Sequence, residues 1–181
     1  MQYNYAINVY QNDLCAGIYG NYAQTGQGAE TGRDQGHAVT GLGWTALAAR
    51  IIQSQGTDVY SMGNNLLLTA AEYSAKYNLG YDVPYDPKFY RCEAVLINGP
   101  WSAPSNISRG LGMTSATTQS PGVWDVSAHS TSRQSNTDFQ ILYYQYVIKK
   151  GLNAPWTTKA KQAYDASGGE QHRKSSIALF S

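Results

Sequence analysis

The sequence predicts a single, mainly α-helical domain with long loops that extends over residues 1–181. Three observations support this fold class. Several segments carry apolar side chains at helical spacing. Stretches rich in Gly, Ser, Thr, Pro and Asn separate these segments. The chain of 181 residues combines a hydrophobic fraction of 42% with a charged fraction of 14%, a balance that allows a buried core and excludes a disordered chain.

The first predicted helix covers residues 37–53, where apolar residues alternate with many small ones. Residues 1–32 are rich in Tyr, Asn, Gln and Gly and show no sustained helical period, so we predict irregular structure there. A second helix is predicted over residues 64–77, because Leu67, Ala70 and Ser74 share one face and Gly80 follows its end.

The second half of the chain is predicted to contain a long loop and two more helices. Pro84 and Pro87 favour an extended segment after the second helix. Residues 98–135 are dominated by Gly, Ser, Thr, Pro and Asn, and a connection of this length is usually functional. Residues 139–150 form the third predicted helix, and residues 157–165 form a short fourth one.

Charge and composition limit the classes of partner. The net charge of +1 provides no general electrostatic reason to bind nucleic acid. No apolar run reaches the roughly 20 residues that a membrane span needs, so we expect no membrane partner. The chain has 15 Tyr and 4 Trp beside only 3 Phe, and such aromatic residues suit surfaces that meet both water and sugar rings.

The composition also predicts a secreted protein. Ser, Thr, Asn, Gln and Gly are abundant, and Asn106-Ile107-Ser108 is a glycosylation sequon. The first residues lack the basic and apolar regions of a signal peptide, so we expect any such signal to lie outside this numbering. Cys15 and Cys92 are either one disulfide or two buried thiols, and an oxidising compartment favours the disulfide.

Several chemistries are excluded because the required residues are missing. The sequence has no nucleophile elbow, no phosphate-binding loop and no dinucleotide fingerprint. Its three histidines (His37, His129 and His172) are scattered, and two cysteines do not make a zinc site, so we predict no metal and no cofactor. A glycoside hydrolase needs two opposed carboxylates, and Asp34 with Glu72 is the candidate pair.

The segment Arg33-Asp34-Gln35-Gly36-His37 opens a longer pattern that resembles the alginate lyase family of helical polysaccharide lyases. The resemblance is strong over residues 33–87 and looser over residues 139–158. The matching segments after the first are residues 41–43 (GLG), 55–60 (QGTDVY), 64–68 (NNLLL), 72–80 (EYSAKYNLG), 82–85 (DVPY), 150–152 (KGL) and 155–157 (PWT). By this resemblance, the expected fold is an incomplete α/α toroid, of which this chain is the C-terminal part.

The resemblance implies β-elimination on a polyuronate such as alginate or a glucuronan, with no metal. A base removes the proton on C5, which is α to the carboxylate, and an acid protonates the departing 4-linked sugar. The carboxylate becomes more negative in the transition state. An amide, imidazole or guanidinium group must therefore stabilise it.

Roles carried over from the family fall on three residues. His37 is the base or a carboxylate partner, Gln35 is the neutralising amide, and Tyr73 is the general acid, and also the base for one epimer. Related lyases place an arginine seven residues before that tyrosine. Here the position holds Leu66, so Arg33 is our candidate for the activating charge.

The expected partner is an acidic polysaccharide, and its candidate ligands have alternative explanations. Those ligands are Arg33, Asn65, Tyr77, Tyr146 and Trp124. Asn65 is equally well explained as a helix-capping residue, and the two tyrosines as core residues. Trp44 faces either neighbouring helices or a sugar, whereas Trp101 and Trp124, in the long loop, are the better stacking candidates.

Two other functions remain open on the sequence. One is a non-catalytic or degenerate lyase-like protein that binds carbohydrate, and its motivation is Leu66. The other is a glycoside hydrolase on the same helical scaffold that uses Asp34 and Glu72. Elimination leaves an unsaturated sugar end and hydrolysis leaves a saturated one, so the product distinguishes them.

Overall fold

The computed structural model describes residues 2–33, 35–89, 103–104 and 139–166. Of these residues, 64% are helical and none lies in a strand, which confirms the mainly α fold class. Within these ranges, Tyr22 and Gly28 form an isolated antiparallel β-bridge. The long loop predicted at 98–135, with Trp101, the sequon at Asn106 and Trp124, falls almost wholly outside the described residues.

The helices follow the predicted order, with two additions at the start. Helix α5 occupies residues 139–149 and changes from α-helical geometry over residues 139–143 to a π-helix over Tyr144–Lys149. The predicted helices at 37–53, 64–77, 139–150 and 157–165 are confirmed to within a few residues. The other bounds are α1 Gln2–Asn12, α2 Ile18–Asn21, α3 Gln35–Ser54, α4 Met62–Asn78 and α6 Pro155–Ala166.

The prediction of irregular structure over residues 1–32 is wrong for α1 and α2. Helix α1 packs on the core through Tyr3, Ile7 and Tyr10, which share one face at helical spacing. Two members of this narrow stripe are tyrosines. The apolar period is therefore hidden when tyrosine is counted among the polar residues.

The core lies where α3 packs against α4, and α6 also packs against α4. Ala46, Ala49 and Ala71 are completely buried, and side chains this small allow the helices to approach closely. Leu42 and Leu66 are each 1% exposed within the same cluster. Leu66, at the position where the resemblance predicted an arginine, is therefore a core residue.

Tyrosine hydroxyls tie the helices to one another. The Tyr3 hydroxyl donates to the carbonyl of Ile52 at 3.1 Å, and that of Tyr60 donates to the carbonyl of Ala46 at 3.2 Å. The Tyr146 hydroxyl donates to the carbonyl of Tyr60 at 2.8 Å, and the two rings meet edge to face at 5.6 Å. A buried hydroxyl needs such a partner. Many of the tyrosines that suggested sugar-binding surfaces therefore build the core.

Helix α4 begins with a left-handed turn. Gly63, Asn64 and Asn65 have φ values of 57°, 57° and 63°, so regular right-handed geometry starts at Leu66. Asparagine adopts this conformation more readily than other residues with a side chain. The residue types at 63–65 are thus explained by backbone geometry.

Cys15 is disulfide-bonded, in agreement with the predicted disulfide. Cys92, the other cysteine of the sequence, lies outside the described residues. Within the described ranges, no helix combines the length and the apolar character needed to cross a bilayer.

A small polar cluster joins the end of α5 to the loop between α3 and α4. The Lys150 Nζ lies 3.2 Å from Asp58 Oδ2 and 2.6 Å from the Ser61 Oγ. Ser61 in turn donates to Asp58 Oδ2 at 2.6 Å. Partial burial acts to raise the pKa of Asp58, but the hydrogen bonds from Ser61 and Lys150 outweigh it and lower that pKa.

We expect Asp58→Asn to lower the melting temperature at neutral pH, and the deficit to vanish in acid. Because the pKa of Asp58 is lower in the folded chain than in the unfolded chain, its carboxylate stabilises the fold above the unfolded value, about 3.9, and this contribution is lost as pH falls through the folded pKa. Thermal unfolding of both proteins from pH 7 down to about pH 2 measures it. A deficit that persists unchanged in acid would contradict this assignment.

Candidate functional site

A groove of about 350 Å³ runs along one side of α3. Helix α3 lines it with His37, Thr40, Gly41 and Trp44, which recur on one helical face. The opposite wall comes from α1, α2 and the loop that follows, including Tyr10, Tyr22 and Glu30. We call this cavity the His37 groove. Its volume lies within the range of about 300–1,000 Å³ that is usual for ligand sites.

The His37 groove is also lined by an ion pair between Arg33 and Glu30. Arg33 precedes α3 by two residues, and its side chain is half-exposed while its Nη1 lies 3.2 Å from Glu30 Oε2. A surface pair of this kind adds little stability, but it does orient the guanidinium. His37 is exposed on the first turn of α3, so both side chains lie where a ligand in the groove would meet them.

Trp44 lies in the same groove, and its side chain is 65% exposed. It follows His37 by two helical turns, about 10 Å along the helix axis. An exposed indole beside a polar groove is a surface on which a sugar ring can stack. The sequence left the orientation of Trp44 open. Its spacing of seven residues from His37 is the signal that places both on one face.

Gly41 lies between His37 and Trp44 and leaves the floor of the groove open. A Cβ atom built on Gly41 would meet no atom within 4 Å. A glycine within a helix lowers its stability by up to about 1 kcal/mol relative to alanine. The local packing does not require a glycine, so the open space belongs to the groove.

Gln35 and Tyr73 lie behind the groove and do not line it. They line a void of about 10 Å³, which is too small for a sugar ring. Tyr22, Gly28 and Ala38 line both the void and the groove, so they form the wall between the two. The structure therefore brings Arg33 and His37 together and holds the other two predicted residues one layer deeper.

The Gln35 amide joins the start of α3 to the end of α4. It is 3% exposed, its Nε2 donates to the carbonyl of Thr31 at 3.0 Å, and its Oε1 accepts from the Nδ2 of Asn78 at 2.8 Å. These bonds fix the first turn of α3, on which His37 stands two residues later. In this arrangement Gln35 acts on the site by positioning His37.

Tyr73 is a protonated, hydrogen-bonded phenol. Its side chain is 6% exposed, and its hydroxyl donates to the carbonyl of Pro84 at 2.8 Å. Burial raises the pKa of Tyr73 well above 10, and the neighbouring Tyr85 and Tyr77 raise it further. A phenol in this state can give a proton but is a poor base. Leu66, in the core, supplies no charge that would reverse the shift.

The segment that covers Tyr73 is held from a second side. Gln27 is 1% exposed; its Nε2 donates to the carbonyl of Asp86 at 2.8 Å and its Oε1 accepts from the Asp86 amide at 2.7 Å. Gly26, with φ 88°, lies so close to α4 that a Cβ there would be 2.3 Å from the carbonyl oxygen of Thr69. Residues 84–86 are thus held by hydrogen bonds with both Tyr73 and Gln27.

Most of the predicted substrate ligands lie away from the groove. Tyr77 is 4% exposed and donates to the carbonyl of Pro104 at 3.4 Å, and Tyr146 is fully buried. Asn65 belongs to the left-handed turn at the start of α4. Trp124 lies outside the described residues. Among the described candidates, Arg33 is the one that lines the groove, because the tyrosine rings are used in packing.

Glu72, one of the two hydrolase candidates, caps a helix. Its Oε2 accepts from the amide of Trp156 at 3.0 Å and its Oε1 from the amide of Thr157 at 2.7 Å. Both oxygens therefore satisfy backbone groups at the start of α6, where a negative charge also suits the helix dipole. Asp34 lies outside the described residues.

Within the described part of the chain, no group of three or more His, Cys, Asp or Glu side chains could hold a metal ion. No protein-family model, curated protein or solved structure matches the chain.

We expect Glu72→Ala to lower the free energy of unfolding by about 1–2 kcal/mol, because two backbone amides at the start of α6 lose their acceptor. Glu72→Gln keeps one acceptor oxygen and loses less. Urea denaturation measures both, with the exposed Asp82→Asn as the control for charge removal. Wild-type stability in Glu72→Ala would contradict the capping role.

Proposed function

We propose that the protein is a polysaccharide lyase that cleaves a polyuronate of the alginate or glucuronan type by β-elimination. The observation that carries the proposal is the His37 groove, in which an exposed imidazole lies between a guanidinium and an exposed indole. These groups match the three parts of a uronate that the reaction must address, namely the C5 proton, the carboxylate and the sugar ring.

In the proposed mechanism, Arg33 binds the uronate carboxylate and Trp44 supports a neighbouring sugar ring. His37 takes the C5 proton, and the electron pair of the C5–H bond forms the C4–C5 double bond as the C4–O bond breaks. Negative charge grows on the carboxylate during this step. The guanidinium of Arg33 stabilises it, which is the largest contribution to catalysis that such a site offers.

Tyr73 is the proposed proton donor to the departing oxygen. Its raised pKa keeps it protonated, which suits an acid and not a base. The proposal requires the Tyr73 hydroxyl to exchange the carbonyl of Pro84 for the leaving oxygen. Substrate binding must therefore release this hydroxyl from Pro84 and open the wall that Tyr22, Gly28 and Ala38 form. Gln35 serves the reaction by holding the first turn of α3 and with it His37.

The proposal extends to the fold and the compartment. An incomplete α/α toroid is supported by consecutive helices that pack in pairs, α3 on α4, and by α6 on α4. A secreted protein is supported by the disulfide-bonded Cys15, since disulfides persist in oxidising compartments.

A non-catalytic carbohydrate-binding protein is the second candidate. Two observations favour it. The Tyr73 hydroxyl is already hydrogen-bonded behind the groove wall, and Leu66 provides no charge to activate it. Such a protein would use Arg33 and Trp44 to bind a uronate and would not break it.

We expect the full chain to produce a rise in ultraviolet absorbance with at least one polyuronate, because elimination forms a conjugated C4–C5 double bond. His37→Ala should lower the rate at least a hundredfold, since a general base contributes about 10²–10⁴. Tyr73→Phe should lower it to a similar extent while the variant still binds the polymer.

The matched control is Tyr77→Phe, a neighbouring buried tyrosine that also donates to a backbone carbonyl. It should keep its turnover. A flat absorbance trace from folded protein that still binds the polymer would favour the non-catalytic candidate. Saturated reducing ends without a rise in absorbance would indicate hydrolysis.

We expect Gly41→Leu to raise KM at least tenfold, or about 1.4 kcal/mol, because the side chain would fill the floor of the groove. The same change should not destabilise the fold, since the position is open and leucine is a better helix former. Gly41→Ala is the control and should bind almost normally. Unchanged KM in Gly41→Leu would mean that substrate does not occupy this groove.

A further inference from the structure

A second and larger cavity, of about 590 Å³, lies between the C-terminal half of α3 and helices α5 and α6. The proposed reaction does not use it. Its cations are Arg50, Lys149 and Lys161, and no aspartate or glutamate is among the described residues that line it. Three glutamines line it as well, Gln53, Gln140 and Gln145. We call this cavity the basic cleft.

Two of the three cations in the basic cleft have no carboxylate partner within the part of the chain that the structure describes. Arg50 and Lys149 form no salt bridge with any described residue. The Lys149 Nζ lies 5.4 Å from the centre of the Tyr144 ring, an arrangement that holds an ammonium group without cancelling its charge. Lys161 pairs with Asp165. The cleft therefore presents positive charge to whatever enters it.

The other groups of the basic cleft match a sugar. Gln140 and Gln145 are 8% and 5% exposed and line the cleft, and an amide can donate to one hydroxyl and accept from another. Tyr144 is 55% exposed and offers a ring on which a sugar can stack. A small inorganic anion would use the cations alone.

The basic cleft is separate from the His37 groove. Arg50 follows His37 by thirteen residues on the same helix, which is about 20 Å along the axis and on the other side of α3. One monosaccharide cannot reach both places. A polymer held in the cleft, however, raises the effective concentration of sugar at the groove.

We propose that the basic cleft binds an acidic oligosaccharide, with carboxylates on Arg50 and Lys149 and a sugar ring on Tyr144. The saccharide class rests on the proposed function, which makes a polyuronate the substrate. Binding in the cleft requires no turnover. It is therefore measured without the reaction.

The test uses the full chain carrying His37→Ala and Trp44→Ala, which removes the base and the stacking surface of the groove. Titration calorimetry measures the Kd for a size-defined oligouronate. Adding Arg50→Gln with Lys149→Gln should raise the Kd at least tenfold, or about 1.4 kcal/mol. The control pair, Lys88→Gln with Lys159→Gln, removes the same charge outside the cleft and should change the Kd less than twofold.

A third variant removes the ring without changing charge. Tyr144→Ala should also raise the Kd. Because Tyr144 is exposed, the variant should still fold, and far-ultraviolet circular dichroism tests this. An equal rise in Kd in the cleft pair and in the control pair would overturn the proposal in favour of non-specific charge attraction. Competition by inorganic phosphate, or equal binding of the carboxyl-reduced oligosaccharide, would overturn the ligand class.

The two proposals fail in different ways. If the wild-type chain produces no unsaturated ends but binding still depends on Arg50 and Lys149, the lyase proposal fails and the cleft proposal stands. If elimination occurs and the cleft pair binds like the parent, the cleft proposal fails and the lyase proposal stands.

Discussion

The close packing of α3 against α4 is the constraint on which the rest of the structure depends. Ala46, Ala49 and Ala71 are completely buried at or beside this contact, and larger side chains would push the helices apart. The hydrogen bond from Asn78 to Gln35, at 2.8 Å, closes the pair at the start of α3. With one face of α3 used in this way, two other faces remain for the His37 groove and the basic cleft.

Tyrosine fills many core positions that aliphatic residues occupy in most helical domains. Buried rings supply apolar area, and their hydroxyls then need partners, because an unpaired buried polar group costs about 1–3 kcal/mol. Backbone carbonyls meet that need for Tyr60, Tyr73 and Tyr146. Each such bond joins a helix or loop to a different segment of the chain. Burial raises the pKa of Tyr60 to about 12, so these hydroxyls stay neutral.

The proposed acid and base occupy different layers of the molecule. His37 faces the groove, whereas Tyr73 lies behind the wall that Tyr22, Gly28 and Ala38 form. Gln27 and Tyr73 both hold the 84–86 segment, so the same contacts that stabilise the resting fold also keep the acid from the substrate. A motion that frees Tyr73 from Pro84 and opens this wall is the step that distinguishes a lyase from a protein that only binds.

The sequence by itself determined the helical class and the four helices from α3 onward. It also indicated the polar segment around His37 as a candidate functional site. These follow from local spacing, which sets the face of a helix on which a residue lies. Helix α1 was not predicted because two of the three residues in its apolar stripe are tyrosines. Only the tertiary structure decided that Trp44 is exposed, that Glu72 caps α6, and that Tyr73 and Tyr146 are buried. The physical reason is that burial depends on which distant segment covers a face, and no local pattern encodes that.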